Sequence, residues 1–277
     1  MKSMKSLTVL SIAVLLTAVN PSFATEETEA DLQALKWRNI GPFNGGRGTT
    51  VVGHPTDKNV FFFGHGSGGL WKTEDAGAYW VPVGAGQFNC ASVGAMAISE
   101  KNPDIMYVGL GEPQLRQSVS WGDGIYKSVD SGRTWQHIGL EDSLHIARVR
   151  IHPDNPDVVF VASMGHAFGP TKERGVFRTT DGGASWEKVL YQNDLTGAID
   201  LVMSPGDPNV LFAALWTFER KAWGSFFGGP DGGIWRSQDG GDTWQEITSN
   251  PGLPEGDAGR IGLTMSAADP DRVYALV

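Results

Sequence analysis

Residues 124–139 read GIYKSVDSGRTWQHIG. A strand-like run (Ile125, Tyr126, Lys127, Ser128) stops at Asp130-Ser131-Gly132 and resumes at Trp135. An aspartate accepts hydrogen bonds from nearby backbone amides and a glycine supplies positive φ, so the break reads as a hairpin corner. The tryptophan opens the return strand and offers a large ring to bury against a neighbouring sheet. The phrase occurs four times without gaps: GGLWKTEDAGAYW (68–80), DGIYKSVDSGRTW (123–135), RGVFRTTDGGASW (174–186) and GGIWRSQDGGDTW (232–244). Its aspartates, Asp75, Asp130, Asp181 and Asp239, stand 55, 51 and 58 residues apart. A period near fifty residues belongs to a propeller or a solenoid. In this reading the aspartates, with Trp80, Trp135, Trp186 and Trp244, lock turns, and a catalytic or metal role for them is the alternative.

A second phrase precedes each box: VVGHPTDKNVFFFG, AISEKNPDIMYVG, RIHPDNPDVVFVA, VMSPGDPNVLFAA and, a fifth time, TMSAADPDRVYAL. Each reads as strand, Pro/Asp/Asn turn, then a strongly apolar strand. One repeat is then four strands, A to D, and four-stranded units repeated around an axis make a β-propeller. The fold class expected is therefore all-β. Four complete blades are followed by strands A and B of a fifth, between Arg260 and Val277, and LKWRNIG (35–41) reads as an isolated strand D. That count suggests a fragment of a larger propeller or a truncated gene product, with the propeller domain spanning 35–277.

The N-terminus has Lys2 and Lys5, an apolar run from Leu7 to Val19 and a Ser-Phe-Ala end. This is the pattern of a secretory signal peptide over 1–24, cleaved after Ala24, with a disordered segment at 25–34. Secretion to the periplasm or the exterior follows, with no membrane span after cleavage. The formal charge is −9 with no basic run, which excludes nucleic acid as an expected partner. The single cysteine, Cys90, allows no internal disulfide and reads as a small buried residue. The six histidines show no metal-ligand spacing; His54 and His152 share one repeat position before proline and look structural. GSGG lacks the lysine of a phosphate loop. No metal and no cofactor are expected.

Strand alternation puts the Pro/Asp turns and the Asp turns on one face, and the B–C and D–A loops on the other. The first set is short and stereotyped; the second varies, and variable loops on a rigid scaffold carry binding. The B–C loops (64–69, 109–124, 162–175 and 214–233) hold the candidate ligand-binding residues: Glu112, Arg116, Trp121, His166, Arg174, Trp216, Arg220 and Trp223. Rings beside charged groups suit a sugar or a peptide; equally, the rings could pin their own loops. Arg47, Arg148 and Arg260 start strand A in three repeats, near a central channel. They could hold a carboxylate or pair with acidic neighbours in the ring.

The box phrases resemble the Asp-box, or BNR repeat, of sialidase-like and sortilin-like propellers. GDGIYKSVDSGRTW, IARVRIHPDNPDVVFVA and DAGRIGLTMSAADPDRVYALV resemble the sortilin-type propeller of large secreted bacterial proteins, which are often labelled glycosyl hydrolases. The opening WRNIGPFNGGRGTTVVGHPTDKNVFFFGHGSGGLWKT is similar to the first blade of xyloglucan-hydrolysing propellers. That resemblance implies a catalytic aspartate just before the Gly-Gly of the first strand C. Here HGSGGLW offers His65, Gly66 and Ser67, and no carboxylate. The sialidase resemblance implies an early Arg-Ile-Pro, which is absent. The expected function is a secreted binding or scaffold module for a glycan, peptide or protein partner, with the catalytic residues unknown. One alternative is a glycoside hydrolase, with Glu112 and either Glu173 or Glu219 about 5–9.5 Å apart. Another is an inactive truncated product.

Overall fold

The computed structural model describes residues 47–277. The signal segment expected over 1–24, the segment 25–34 and the strand expected at 35–41 lie outside the described residues. Four antiparallel sheets and one two-stranded sheet follow one another along the chain. The first blade is β1 (Gly48–Gly53), β2 (Phe61–His65), β3 (Gly69–Thr73) and β4 (Val81–Val83). The second is β5 (Val93–Ile98), β6 (Met106–Leu110), β7 (Ile125–Ser128) and β8 (Gln136–His137). The third is β9 (Ile146–Ile151), β10 (Val159–Ser163), β11 (Gly175–Thr179) and β12 (Glu187–Leu190). The fourth is β13 (Thr196–Met203), β14 (Leu211–Lys221), β16 (Gly233–Ser237) and β17 (Gln245–Glu246), with β15 (Gly224–Phe227) added on the extension of β14. Last come β18 (Gly262–Ser266) and β19 (Asp269–Leu276). This is the all-β propeller architecture, four blades and part of a fifth, that the repeats predict.

Strand A of each blade touches strand A of the next, from β1 through β5, β9 and β13 to β18. These inner strands come so close at β5 that a Cβ on Gly94 would overlap the carbonyl oxygens of Ile146 and Gly111. Strand B is apolar on both faces because a blade is covered by a neighbour on each side; β6 and β10 are buried at every position. Strand D is the outer edge and is short, and in the second and fourth blades it is polar: β8 and β17 are two exposed residues each. Short polar edges do not invite further pairing.

The A–B turns share one construction. The amides of His54, Ser99, His152 and Ser204 donate to the carbonyls of Val60, Ile105, Val158 and Val210 at 2.9–3.0 Å. At the same four positions a side chain accepts a turn amide: Nδ1 of His54 and His152, Oγ of Ser99 and Ser204. That is the structural role expected of His54 and His152.

The Asp-boxes repeat as closely. In each, the hydroxyl of Thr73, Ser128, Thr179 or Ser237 donates to the aspartate two residues on, at 2.7–2.8 Å. The same hydroxyl accepts the amide of Gly77, Gly132, Gly183 or Gly241 at 2.9 Å. Two consecutive residues take positive φ, for example Ser131 at 60° and Gly132 at 81°. The first of them locks the two turns together. The amides of Ala76, Ser131, Gly182 and Gly240 donate to the carbonyls of Asn59, Asp104, Asp157 and Asn209, at 2.9–3.1 Å. This bond places Asp-boxes and A–B turns on one face and leaves the B–C loops on the other.

Hydrogen bonds hold the box carboxylates below the usual range. Asp130 is lowered to about 2, with the Thr134 hydroxyl the largest cause, then the Thr134 amide. Asp239 is lowered to about 2 by the equivalent Thr243, and Asp181 further still by Ser185. Asp75 is lowered mainly by the Tyr79 amide, since tyrosine replaces the hydroxyl residue there. Carboxylates more acidic when folded than their unfolded value near 3.9 contribute stability that is full above it. That stability is lost as the pH falls through the folded values. Melting temperature should therefore drop between about pH 4 and pH 2. In Thr134→Val the acid-dependent loss is smaller and is complete at higher pH, because Asp130 loses its largest stabilising partner. An acid limb unchanged in that variant would contradict the assignment.

Candidate functional site

The B–C face is built differently in each blade. In the first blade it is a short link between β2 and β3. In the second, the chain from Gly111 to Gly124 folds over the ring and buries Glu112 completely. The Glu112 carboxylate takes Nε and Nη2 of Arg47 at 2.6 and 2.5 Å, with Arg116 Nε 3.4 Å from the oxygen that accepts Arg47 Nε. It also accepts the Ser120 amide. Gly66 of the first blade leaves room for it: a Cβ there would lie 3.0 Å from its carboxyl carbon. Glu112 thus ties the loop to the start of β1.

In the third blade Arg174 is fully buried. Its Nη1 donates to the carbonyls of Leu195 and Phe218, and its Nη2 to those of His166 and Gly169. Its plane lies 4.0 Å from the Phe218 ring centre, and burial lowers its pKa to about 10. This is a pin joining the third B–C loop to the fourth blade. His166, part-buried, contributes its carbonyl to the pin. Beside these loops His145 is buried, and that burial lowers its pKa to about 4.

The fourth B–C segment, read from the sequence as a loop over 214–233, is largely a β-hairpin. The alternation of buried Trp216 and Phe218 with more exposed neighbours continues strand β14 to Lys221, and β15 pairs back from Gly224 to Phe227. Trp216 is buried, with Phe218 and Phe227 rings at 4.9 and 5.3 Å. It supports the hairpin rather than facing solvent. Arg220 is part-buried, and its amide donates to the Ala167 carbonyl, so the hairpin leans on the third loop. Glu219 pairs with Lys221 at 3.0 Å.

Two of the three loop tryptophans are open: Trp121 is 68% exposed and Trp223 83%. The same B–C segments also expose Phe168 at 61%, Phe226 at 57% and Phe227 at 49%. Lys221 Nζ lies 6.0 Å from the Trp223 ring centre and 5.4 Å from that of Phe226. The B–C segments of three successive blades therefore each present exposed aromatic surface on one face. Sorting tryptophans alone finds two of these five rings; the signal for the rest is GSFFGG at 224–229 and HAFGP at 166–170.

Two of the three strand A arginines are paired within the ring. Arg47 holds Glu112. Arg148 Nε donates to Asp200 at 2.8 Å, and Asp200 also accepts the Leu201 and Leu263 amides. Asp200 and Arg148 occupy the same repeat position in adjacent blades, so this pair binds β9, β13 and β18 together. Arg260 is lowered by burial first and then by the charge of Arg148. Among the described residues no group of three or more His, Cys, Asp or Glu is placed to hold a metal, and no helix is long and apolar enough to cross a membrane.

Residues 123–251 match the family described as Sortilin-Vps10 (sortilin, neurotensin receptor 3). A xyloglucanase of a Paenibacillus species is 27% identical over 279 residues, covering 91% of this chain and 26% of that protein. The crystal structure of an ancestral GH74 enzyme superposes with a TM-score of 0.59 at 17% identity, over 78% of this chain and 27% of that one. That of the Xanthomonas campestris GH74 xyloglucanase gives 0.56 at 18%, over 87% and 39%. The chain spans about a quarter of the length of that curated relative. The chain carries a Sortilin-Vps10-type region of BNR repeats within a β-propeller distantly homologous to xyloglucanases.

Proposed function

We propose that the chain is an exported glycan-binding propeller module whose B–C face receives a β-linked polysaccharide. The observation that carries this reading is the set of exposed rings on that face, Trp121, Phe168, Trp223 and Phe226, drawn from three successive blades. Pyranose rings present apolar C–H faces that stack on aromatic planes, and a chain of such rings matches a row of them. The relatives named as xyloglucanases make xyloglucan and its oligosaccharides the first ligands to try. Clamping of Glu112 by Arg47 and Arg116 favours binding over hydrolysis at this face.

The test is affinity gel electrophoresis in xyloglucan, followed by calorimetry with oligosaccharides. Trp223→Ala is expected to weaken binding about tenfold or more, since stacked aromatics contribute about 0.5–1.5 kcal/mol beyond their buried area. Its fold should be unchanged, because the ring is 83% exposed. Unretarded migration of the native chain in xyloglucan and in other β-glucans would end this reading.

A further inference from the structure

Between the third and fourth blades the B–C face carries an open groove of about 580 Å3, lined by Lys172, Tyr191, Asn193, Asp194, Thr217 and Asp231. That volume lies within the range of small-ligand sites. None of the six is among the binding residues expected from the sequence. The segments that form its walls also expose Phe168 and Phe227. Lys172 shares the third B–C loop with Phe168, and the Thr217 carbonyl accepts the amide of Gly228, next to Phe227.

The walls are fixed by bonds between the segments that form them. The Thr171 amide donates to the Asp194 carbonyl at 2.9 Å, and the Phe218 amide to that of Leu195 at 3.1 Å. The Leu195 carbonyl also takes Arg174 Nη1 at 2.8 Å. Thr217 Oγ1 stands 2.8 Å from Thr196 Oγ1, and Asn193 Oδ1 accepts the Leu195 amide at 2.9 Å. The Tyr191 hydroxyl donates to Asp194, and Lys188 Nζ lies 4.8 Å from the Tyr191 ring centre. The ring is thereby held while 39% of the residue stays exposed. Walls already ordered bind a ligand without the entropy cost of ordering them.

The groups left over define the chemistry. Among the described residues the Lys172 ammonium, the Asn193 amide nitrogen, the second carboxylate oxygen of Asp194 and the Asp231 carboxylate have no hydrogen-bond or ion-pair partner. The first two donate and the last two accept. Lys172 and Lys188 stand against Asp194 and Asp231, so the groove carries no net charge. A sugar hydroxyl both donates and accepts, and a neutral pyranose can satisfy all four groups. A ligand of one charge would leave half of them desolvated and unpaired.

We propose that this groove is a hydroxyl-reading subsite of the glycan face. It takes a neutral pyranose unit whose hydroxyls donate to Asp194 and Asp231 and accept from Lys172 and Asn193, with the Tyr191 ring against a C–H face. This rests on the B–C face being a glycan surface and adds a second kind of contact to it. The exposed rings hold a sugar by its apolar faces and do not tell one hydroxyl pattern from another; the groove does.

The test is calorimetry of the full chain with cello-oligosaccharides and with their O-methyl ethers. Methylation keeps the C–H faces and removes the hydroxyl donors. The native chain is expected to bind the unmethylated ligand at least about tenfold more tightly. The double variant Lys172→Ala, Asp231→Ala should melt as the native chain does, because neither side chain has a partner in the fold. It should bind the unmethylated ligand about tenfold more weakly and the ether unchanged. Trp223→Ala should weaken both alike. Native affinity of the double variant for the unmethylated ligand would overturn the subsite and leave the ring surface standing. An equal loss for the ether would overturn hydroxyl reading. Failure of the native chain to bind either ligand would overturn the glycan reading of the B–C face, and the subsite with it.

Discussion

Arg174→Ala is expected to cost about 3–5 kcal/mol, on the scale of breaking a buried hydrogen-bond network. The sequence places Arg174 at the end of a variable loop, where it reads as a ligand-binding group. In the fold it is buried and spans four carbonyl oxygens belonging to the third B–C loop, the following D–A connection and β14. Truncation leaves those carbonyls without a donor and opens a void against Phe218. For a chain of this size the melting temperature should fall by roughly 10 °C. Lysine should not restore it, because an ammonium cannot present the planar fork that reaches both sides. Thermal melts of the two variants check this; native stability in Arg174→Ala would mean the guanidinium is available for another task.

Gly94→Ala is the second large effect expected, a loss of about 3 kcal/mol or failure to fold. The added methyl would meet the carbonyl oxygens of Ile146 and Gly111, and backbone atoms, unlike a side chain, cannot swing aside. The site lies where β5 faces β9, so it measures how tightly the inner strands of adjacent blades close. Gly224→Ala is the control. Nothing lies within 4 Å of a Cβ there, and its effect should stay within about 0.5 kcal/mol. Similar stability for both variants would contradict the blade-to-blade geometry.

The turns were the legible part of this molecule because their chemistry is local. Asp130 needs only Ser128, Gly132 and Thr134, all within four residues, so the phrase predicts its own geometry and its repetition predicts the propeller. The candidate site was less legible because its residues act across blades. Glu112 is settled by Arg47, 65 residues away, and Arg174 by Phe218, 44 residues away. No spacing rule announces either contact. Trp216 and Trp223 stand seven residues apart in one segment, yet one faces the core and the other solvent. What separates them is a hairpin whose second strand, GSFF, lacks the alternation that marks a strand. Each box also carries a lysine or arginine (Lys72, Lys127, Arg178, Arg236), and that Lys127 and Arg178 reach the carbonyls of Gly182 and Gly240 in the following blade appears only when consecutive blades are seen side by side.

Hydroxyl-radical footprinting of the full chain, with and without xyloglucan oligosaccharide, tests the central claim most directly. Tyr79 is 80% exposed at the first Asp-box, on the face opposite the B–C loops, and serves as the internal reference. Oxidation of Trp121, Phe168, Trp223 and Phe226 should slow on ligand addition while that of Tyr79 stays constant. Unchanged rates at the four rings, or protection at Tyr79 instead, would contradict the assignment of the B–C face as the glycan surface.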